Sequence, residues 1–192
     1  MKIKSFKEID TKKWDEFVIS HPNANFFQTS HYYSLFRNFS QAQPIAYAVT
    51  IEDEIEGVII GVIYQNFSWP LNVFTRRAII IGGPLIKNNN KVVFDFLMNE
   101  LCKRLKKSCT FIQIRNLWEL QAENFDFGNL GFNFEHHLDI LHDLTVNEND
   151  IIQKISKSKL SNVRKSLNKG TIAKEIVDEN DFQEGVSLII ST

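Results

Sequence analysis

Three stretches rich in β-branched and aromatic residues follow one another closely along this chain: Ile45 to Ile51, Gly57 to Phe67 and Val73 to Ile81. The segments between them, EDEIE and SWPLN, suit hairpin or loop turns, so the run reads as antiparallel strands. Helices flank this meander. Asp10 or Thr11 can cap one that carries Trp14, Phe17 and Val18 at helical spacing and stops before His21-Pro22. Asn23 to Thr29 reads as a loop, and Thr29 or Ser30 can cap a second helix with Tyr32, Tyr33 and Phe36 facing inward. From Val92 to Lys107 the residues Val93, Phe94, Leu97, Leu101 and Leu105 mark an amphipathic helix. A short strand at residues 2–6, one from Thr110 to Arg115 and a long one from Phe132 to Leu144 complete an α+β pattern.

Charge is distributed unevenly along the chain. The formal net charge is −1, which gives the molecule as a whole no bulk attraction to nucleic acid or to an acidic membrane. Yet Ile151 to Lys174 holds seven basic residues (Lys154, Lys157, Lys159, Arg164, Lys165, Lys169, Lys174) and no acidic one, so the remainder stands at −8. A hydrophobic share of 43% and a charged share of 23% exclude a disordered tail, a collagen-like rod and a disulfide miniprotein. Cys102 and Cys109 make neither a disulfide framework nor a zinc site by themselves. No apolar run follows the N-terminal lysines, and the longest apolar stretches fall far short of the roughly 20 residues that span a bilayer. The expected location is the reducing cytoplasm.

Placed on a helix, residues 157–169 show a narrow apolar stripe of Leu160, Val163 and Leu167 beside a polar stripe of Lys157, Ser161, Arg164 and Asn168. Arg164 lies at the edge of the apolar stripe, where a guanidinium can be partly buried and still present its fork to phosphate or carboxylate. Gly170 can end the helix in a left-handed cap. A solvated basic face is the plainer account of the same charges. No aromatic residue interleaves them to stack bases.

The stretch His136 to Gly170 resembles the junction segment of the Fem-type peptidoglycan aminoacyltransferases. Asp143-Leu144-Thr145 matches the end of a strand in that family, Glu148 to Ile155 its acidic helix, and Asn162-Val163-Arg164-Lys165-Ser166 with Gly170 its basic helix. The N-terminal half agrees in order: Trp14 and Phe17, then Asn25-Phe26-Phe27-Gln28-Thr29, Gly82-Gly83-Pro84 after a strand, and Ile112-Gln113-Ile114-Arg115 on a later one. The resemblance implies a GNAT-like acyltransferase domain over residues 1–145, a mixed twisted sheet flanked by helices. Residues 146–192 would form a basic helical segment opening an incomplete second GNAT-like domain. It also implies transfer of an amino acid or other acyl group to an amine of a nucleotide- or lipid-linked cell-envelope precursor. No cofactor stays bound; the donor, aminoacyl-tRNA or acyl-CoA, is a co-substrate. By position, Arg164 would contact the precursor's phosphate-bearing end, with Asn162, Lys165 and Lys157 beside it. Arg37 would stand where the family often has a basic ligand, and Arg115 is a further binding candidate.

Other constellations point less far. On a strand, His136 and His142 would face one side and His137, Asp139 and Asp143 the other, which argues against a three-histidine metal site. Phosphate-binding and nucleophile-elbow motifs are absent from the sequence, and Gly82-Gly83-Pro84 lacks an N–H that an acyl-CoA loop would need. Cys102 reads as a packing residue, and Asp139 and Asp143 as backbone-capping carboxylates before they read as bases. Two competing functions stay open beside the transferase: a non-catalytic module that binds a phosphate-bearing precursor, and a tRNA-binding protein using the Lys154 to Lys174 face. Peripheral contact with a membrane is compatible with the first two.

Overall fold

Glu52 and Asp53 both take positive φ, 50° and 65°, the geometry of a two-residue hairpin turn whose twist matches the strands it joins. The turn links β2 (Ala42–Ile51) to β3 (Glu54–Tyr64), whose antiparallel ladder is the centre of the sheet. The computed structural model describes residues 1–65, 72–118, 125–137, 143 and 145–190. They fall into two units, Met1–Glu135 and His136–Thr192.

The first unit is built on a six-stranded mixed sheet. β1 (Lys2–Ser5) pairs antiparallel with β2, and β3 pairs antiparallel with β4 (Arg77–Ile81). β6 (Phe111–Arg115) runs parallel to β4, which gives the order β1-β2-β3-β4-β6. The two-residue β5 (Leu85–Ile86) pairs with β3 further back. A parallel neighbour needs a long crossover, and α4 (Lys91–Leu105) supplies it, capped by Asn90, whose side chain accepts from the N–H groups of Val92 and Val93.

Both faces of the sheet are covered, which is why β3 reads as an almost unbroken apolar run. Ile59, Ile63, Ala78 and Ile80 pack with Phe94, Leu97, Met98 and Leu101 of α4. Val58, Ile60 and Val62 point the other way, toward Trp14 and Val18 of α1 (Thr11–Ser20) and Tyr32 of α2 (Ser30–Leu35). Asp10 caps α1. Asp15 receives the Ser30 N–H at 2.8 Å and the Ser30 hydroxyl, which pins the start of α2 to α1.

The fold class is the expected one, but two expected strands are not what the residues form. Residues from Val73 onward were to begin a strand, yet Asn72–Thr75 is a helical turn, α3, and the strand starts only at Arg77. A strand exists only where a neighbour completes its hydrogen bonds, and β6 begins beside Arg77. Phe132 to His137 has no strand, and its expected continuation through residues 138–142 and 144 lies outside the described residues. The aromatic density that suggested a ladder serves packing instead. Phe125 and Phe127 meet Phe94 edge-on at 4.9 and 5.1 Å, and Phe132 meets Phe127 at 5.7 Å.

The second unit contains α5 (Glu148–Lys154), α6 (Lys157–Asn168) and α7 (Glu179–Ile190). Asn147 caps α5 and Ser156 caps α6. Gly170, at φ +87°, ends α6 as the sequence indicates, with the Thr171 N–H returning to the Ser166 carbonyl. No helix among the described residues is long and apolar enough to cross a membrane.

Candidate functional site

Gln28 has no exposed surface, and its amide stands in for a strand residue. β3 pairs with β5 at Gly57 and Val58 and with β4 from Val62 onward, leaving a gap on that edge around Ile60. Into it Gln28 places Oε1, which accepts the Ile60 N–H at 2.7 Å, and Nε2, which donates to the carbonyls of Ile60 and Ile81 at 3.1 and 2.8 Å. The buried Trp14 indole donates to the Gln28 carbonyl at 2.8 Å, and Asn25 Nδ2 donates to the Gly82 carbonyl at 2.7 Å. The motif residues Trp14, Asn25, Gln28 and Gly82-Gly83 therefore meet in one buried polar lock at the end of β4. Its role is architectural: the Gln28 amide and Asn25 Nδ2 are taken up by backbone, and the Gly82 N–H goes to the Arg115 carbonyl at 2.9 Å, while the buried Asn25 Oδ1 has no partner among the described residues.

Beside the lock, strand alternation gathers a different set. Arg77 on β4 lies between Tyr64 on β3 and Phe111 on β6, and Gln113 and Arg115 follow on the same face of β6. Arg115 Nη2 approaches Gln113 Oε1 at 3.4 Å, and the buried Arg77 Nε has no hydrogen-bond partner among the described residues. Neither guanidinium forms an ion pair among those residues. Asn116, just beyond β6, has a buried Oδ1 without a partner among the described residues. Aromatic rings form the adjoining wall: Tyr32 meets Phe36 at 5.1 Å, Phe36 meets Tyr64 at 6.0 Å, and Trp118 packs against the same cluster.

The electrostatics follow from that placement. Burial pushes the Tyr64 phenol up, while the positive charges of Arg115 and Arg77 pull it back. Burial, with a smaller contribution from Tyr64, pushes Tyr32 up to about 12. A phenol whose pKa is raised by folding stabilises the fold below its unfolded value of about 10, and that contribution is lost as pH rises toward the folded value. Unfolding free energy is thus expected to fall more steeply between about pH 10 and pH 12 in the native protein than in Tyr32→Phe. Equal slopes in alkaline urea melts would refute this placement of Tyr32. Burial raises both thiols, Cys102 and Cys109, so neither presents a ready nucleophile.

Of the residues expected from sequence, Arg115 joins this face. Arg37 sits exposed on the turn after α2 without an ion-pair partner among the described residues. Lys157, Asn162, Arg164 and Lys165 all lie on α6 in the second unit, and all are exposed. The expected partial burial of Arg164 is not found there, because the stripe meant to shelter it is itself open: Val163 is 53% and Leu167 58% exposed. Of the basic residues from Lys154 to Lys174, Lys174 is paired, to Asp181 at 2.6 Å. Asp143 accepts the Thr145 N–H and hydroxyl at 2.9 and 2.6 Å, which hold its carboxyl below the usual range. His136 and His137 lie in irregular chain, while Asp139 and His142 fall outside the described residues. Tyr64, Arg77 and Gln113 were missed; counting back two from Arg115 along its strand would have found Gln113.

No family model and no curated protein matches this sequence. Solved structures do match its fold. FemX superposes with a TM-score of 0.59 at 19% identity, over 92% of this chain and 46% of its own. A transcriptional regulator from Bacillus halodurans C-125 gives 0.54 at 13% identity, over 74% of this chain and 99% of its own. An aminoglycoside N-acetyltransferase, AAC(6')-Iy, in complex with CoA, gives 0.51 at 9% identity, over 74% and 98%. The chain spans less than half the length of FemX. Its fold is Fem-like and of the GNAT type.

Proposed function

We propose that this chain is all or part of a Fem-like acyl or aminoacyl transferase that modifies an amine of a cell-envelope precursor in the cytoplasm. The observation that carries the reading is the fold shared with FemX across 92% of the chain. The face around Arg77 and Arg115 supports it, since two guanidiniums without carboxylate partners among the described residues, beside aromatic rings, suit an anionic substrate with an apolar or sugar portion. In this reading the acceptor is a nucleotide- or lipid-linked peptidoglycan precursor, and the donor is aminoacyl-tRNA or acyl-CoA. In the second unit, Arg164, with Asn162, Lys165 and Lys157, is the proposed contact for the phosphate-bearing end; in the first unit, Arg115 and Arg37 are proposed substrate contacts in their own right.

Acyl incorporation from labelled aminoacyl-tRNA, and separately from acyl-CoA, is measured on the protein isolated from its source, after its intact mass is known. Arg115→Ala and Arg164→Ala are each expected to cut incorporation about 10- to 100-fold, the loss of one charge-assisted hydrogen bond. Turnover indifferent to both changes would remove these residues from the site. Saturable precursor binding with no turnover from any donor would favour a non-catalytic module. Binding to tRNA that weakens steeply with salt, as counterion release requires, would favour a tRNA-binding protein.

A further inference from the structure

Arg76, Lys106 and Lys107 line a cavity of about 220 Å3 together with Ser108, Cys109 and Thr110. It lies at the N-terminal ends of β4 and β6, the far end of the parallel pair from Gly82 and Arg115. Arg76 immediately precedes β4 and Thr110 immediately precedes β6. The Thr110 N–H donates to the Arg76 carbonyl at 2.8 Å and its hydroxyl to the Phe74 carbonyl at 3.1 Å, so the two walls are tied together.

Among the described residues, no acidic residue lines this cavity. Glu100 on α4 is engaged by Lys103 and Arg104 at 3.6 and 3.5 Å. Among the described residues Lys106 and Lys107 have no ion-pair partner, and the Arg76 guanidinium donates to the neutral Gln65 Oε1 at 3.3 and 3.4 Å. Lysines at a helix C-terminus ordinarily serve its last carbonyls. Here the Cys102 carbonyl already accepts the Lys106 N–H, and the Leu105 carbonyl accepts those of Ser108 and Cys109. The lysine charges have no such duty at these groups.

Three cations around one small cavity repel one another until an anion enters, and the same charges then attract it. A guanidinium fork beside two ammonium groups is the chemistry of phosphate recognition. The Thr110 hydroxyl donates to the Phe74 carbonyl and the Ser108 hydroxyl lies between the Leu105 carbonyl and the Cys109 sulfur, so the cations must meet the ligand's charge. A water's share of liquid is about 30 Å3, so the volume takes a phosphate group with several bridging waters. We infer that this cavity is a binding site for a phosphate group, carried by a soluble molecule or by a lipid headgroup, and separate from the face around Arg115.

The test titrates inorganic phosphate and pyrophosphate into the full chain at constant ionic strength, reading backbone amide shifts. Saturable shifts centred on Arg76 and on residues 106–110 are expected. Arg76→Gln and the double variant Lys106→Gln/Lys107→Gln should each weaken binding about tenfold or more, while Lys12→Gln on α1 leaves it unchanged. The two lysines are exposed, so the double variant keeps the fold and its binding remains readable. Vesicles of phosphatidylglycerol and of phosphatidylcholine separate the sources. Retention on the anionic vesicles alone, lost in the double variant, assigns a lipid headgroup; saturation by soluble phosphate without retention assigns a soluble ligand. Shifts spread evenly over all lysines, or affinity unchanged in both variants with neither vesicle retaining the chain, would overturn the site.

Discussion

Gln28→Leu is expected to destabilise the first unit by about 3–6 kcal/mol, the combined cost of leaving buried backbone groups without partners. Leucine is close to glutamine in volume, so the loss is not one of packing. It comes from the Ile60 N–H and the carbonyls of Ile60 and Ile81, which the amide now satisfies. Total stabilities run from about 5 to 15 kcal/mol, so much of the margin goes with one side chain. Gln28→Glu separates the polar contribution from shape. A carboxylate accepts from Ile60 but donates to neither carbonyl, whereas the protonated acid donates to one. Burial favours the neutral acid and raises its folded pKa above the unfolded value of about 4.3. Its stabilising contribution is then full below that value and lost as pH rises, so Gln28→Glu should gain on the native protein as pH falls from about 8 to about 5. Urea melts at the two pH values decide it. A leucine variant as stable as the native protein would mean that the Ile60 edge is satisfied without the amide.

The contrast between α4 and Gln28 shows what a single sequence reveals. α4 was legible because its determinants are local: Asn90 caps it, and Val93, Phe94, Leu97, Leu101 and Leu105 recur along one face. Gln28 lies in what reads as a loop, and its partners are 32 and 53 residues away. Nothing nearby marks it as buried, although the resemblance includes it in the same ordered series of motifs as Trp14 and Gly82-Gly83. The strand boundaries failed for a similar reason. Val73 and Phe74 have the composition of a strand but no strand partner among the described residues, and Phe132 has aromatic neighbours that pack rather than pair. The candidate face was half legible. Arg115 is visible as a cation on a strand, but its proximity to Arg77 and Tyr64 depends on register, which only the folded sheet determines.

Gly83→Ala is expected to cost about 1–3 kcal/mol, the penalty for forcing a methyl group into a filled core. A Cβ on Gly83 would meet Gln28 Cδ and Nε2 at 2.7 Å, and three hydrogen bonds keep that amide from moving aside. The clash is therefore with one side chain, and removing that side chain should remove it. In a Gln28→Ala background, Gly83→Ala is expected to be neutral or to regain stability by filling vacated volume. The coupling between the two changes is then about 1–3 kcal/mol, in the range seen for residues in direct contact. Gly82→Ala supplies the contrast. At φ +61° its added Cβ is strained by the backbone itself and faces Asn25 Oδ1 at 2.6 Å, so Gln28→Ala should bring it no relief. Thermal melts of the cycle, run with a stabilising osmolyte so that the weakest variant still folds, read the coupling directly. Additive losses would show that Gly83 is required for its own backbone and not for the amide packed against it. A coupling confined to the Gly83 pair identifies Gln28 as the residue around which the end of β4 is shaped.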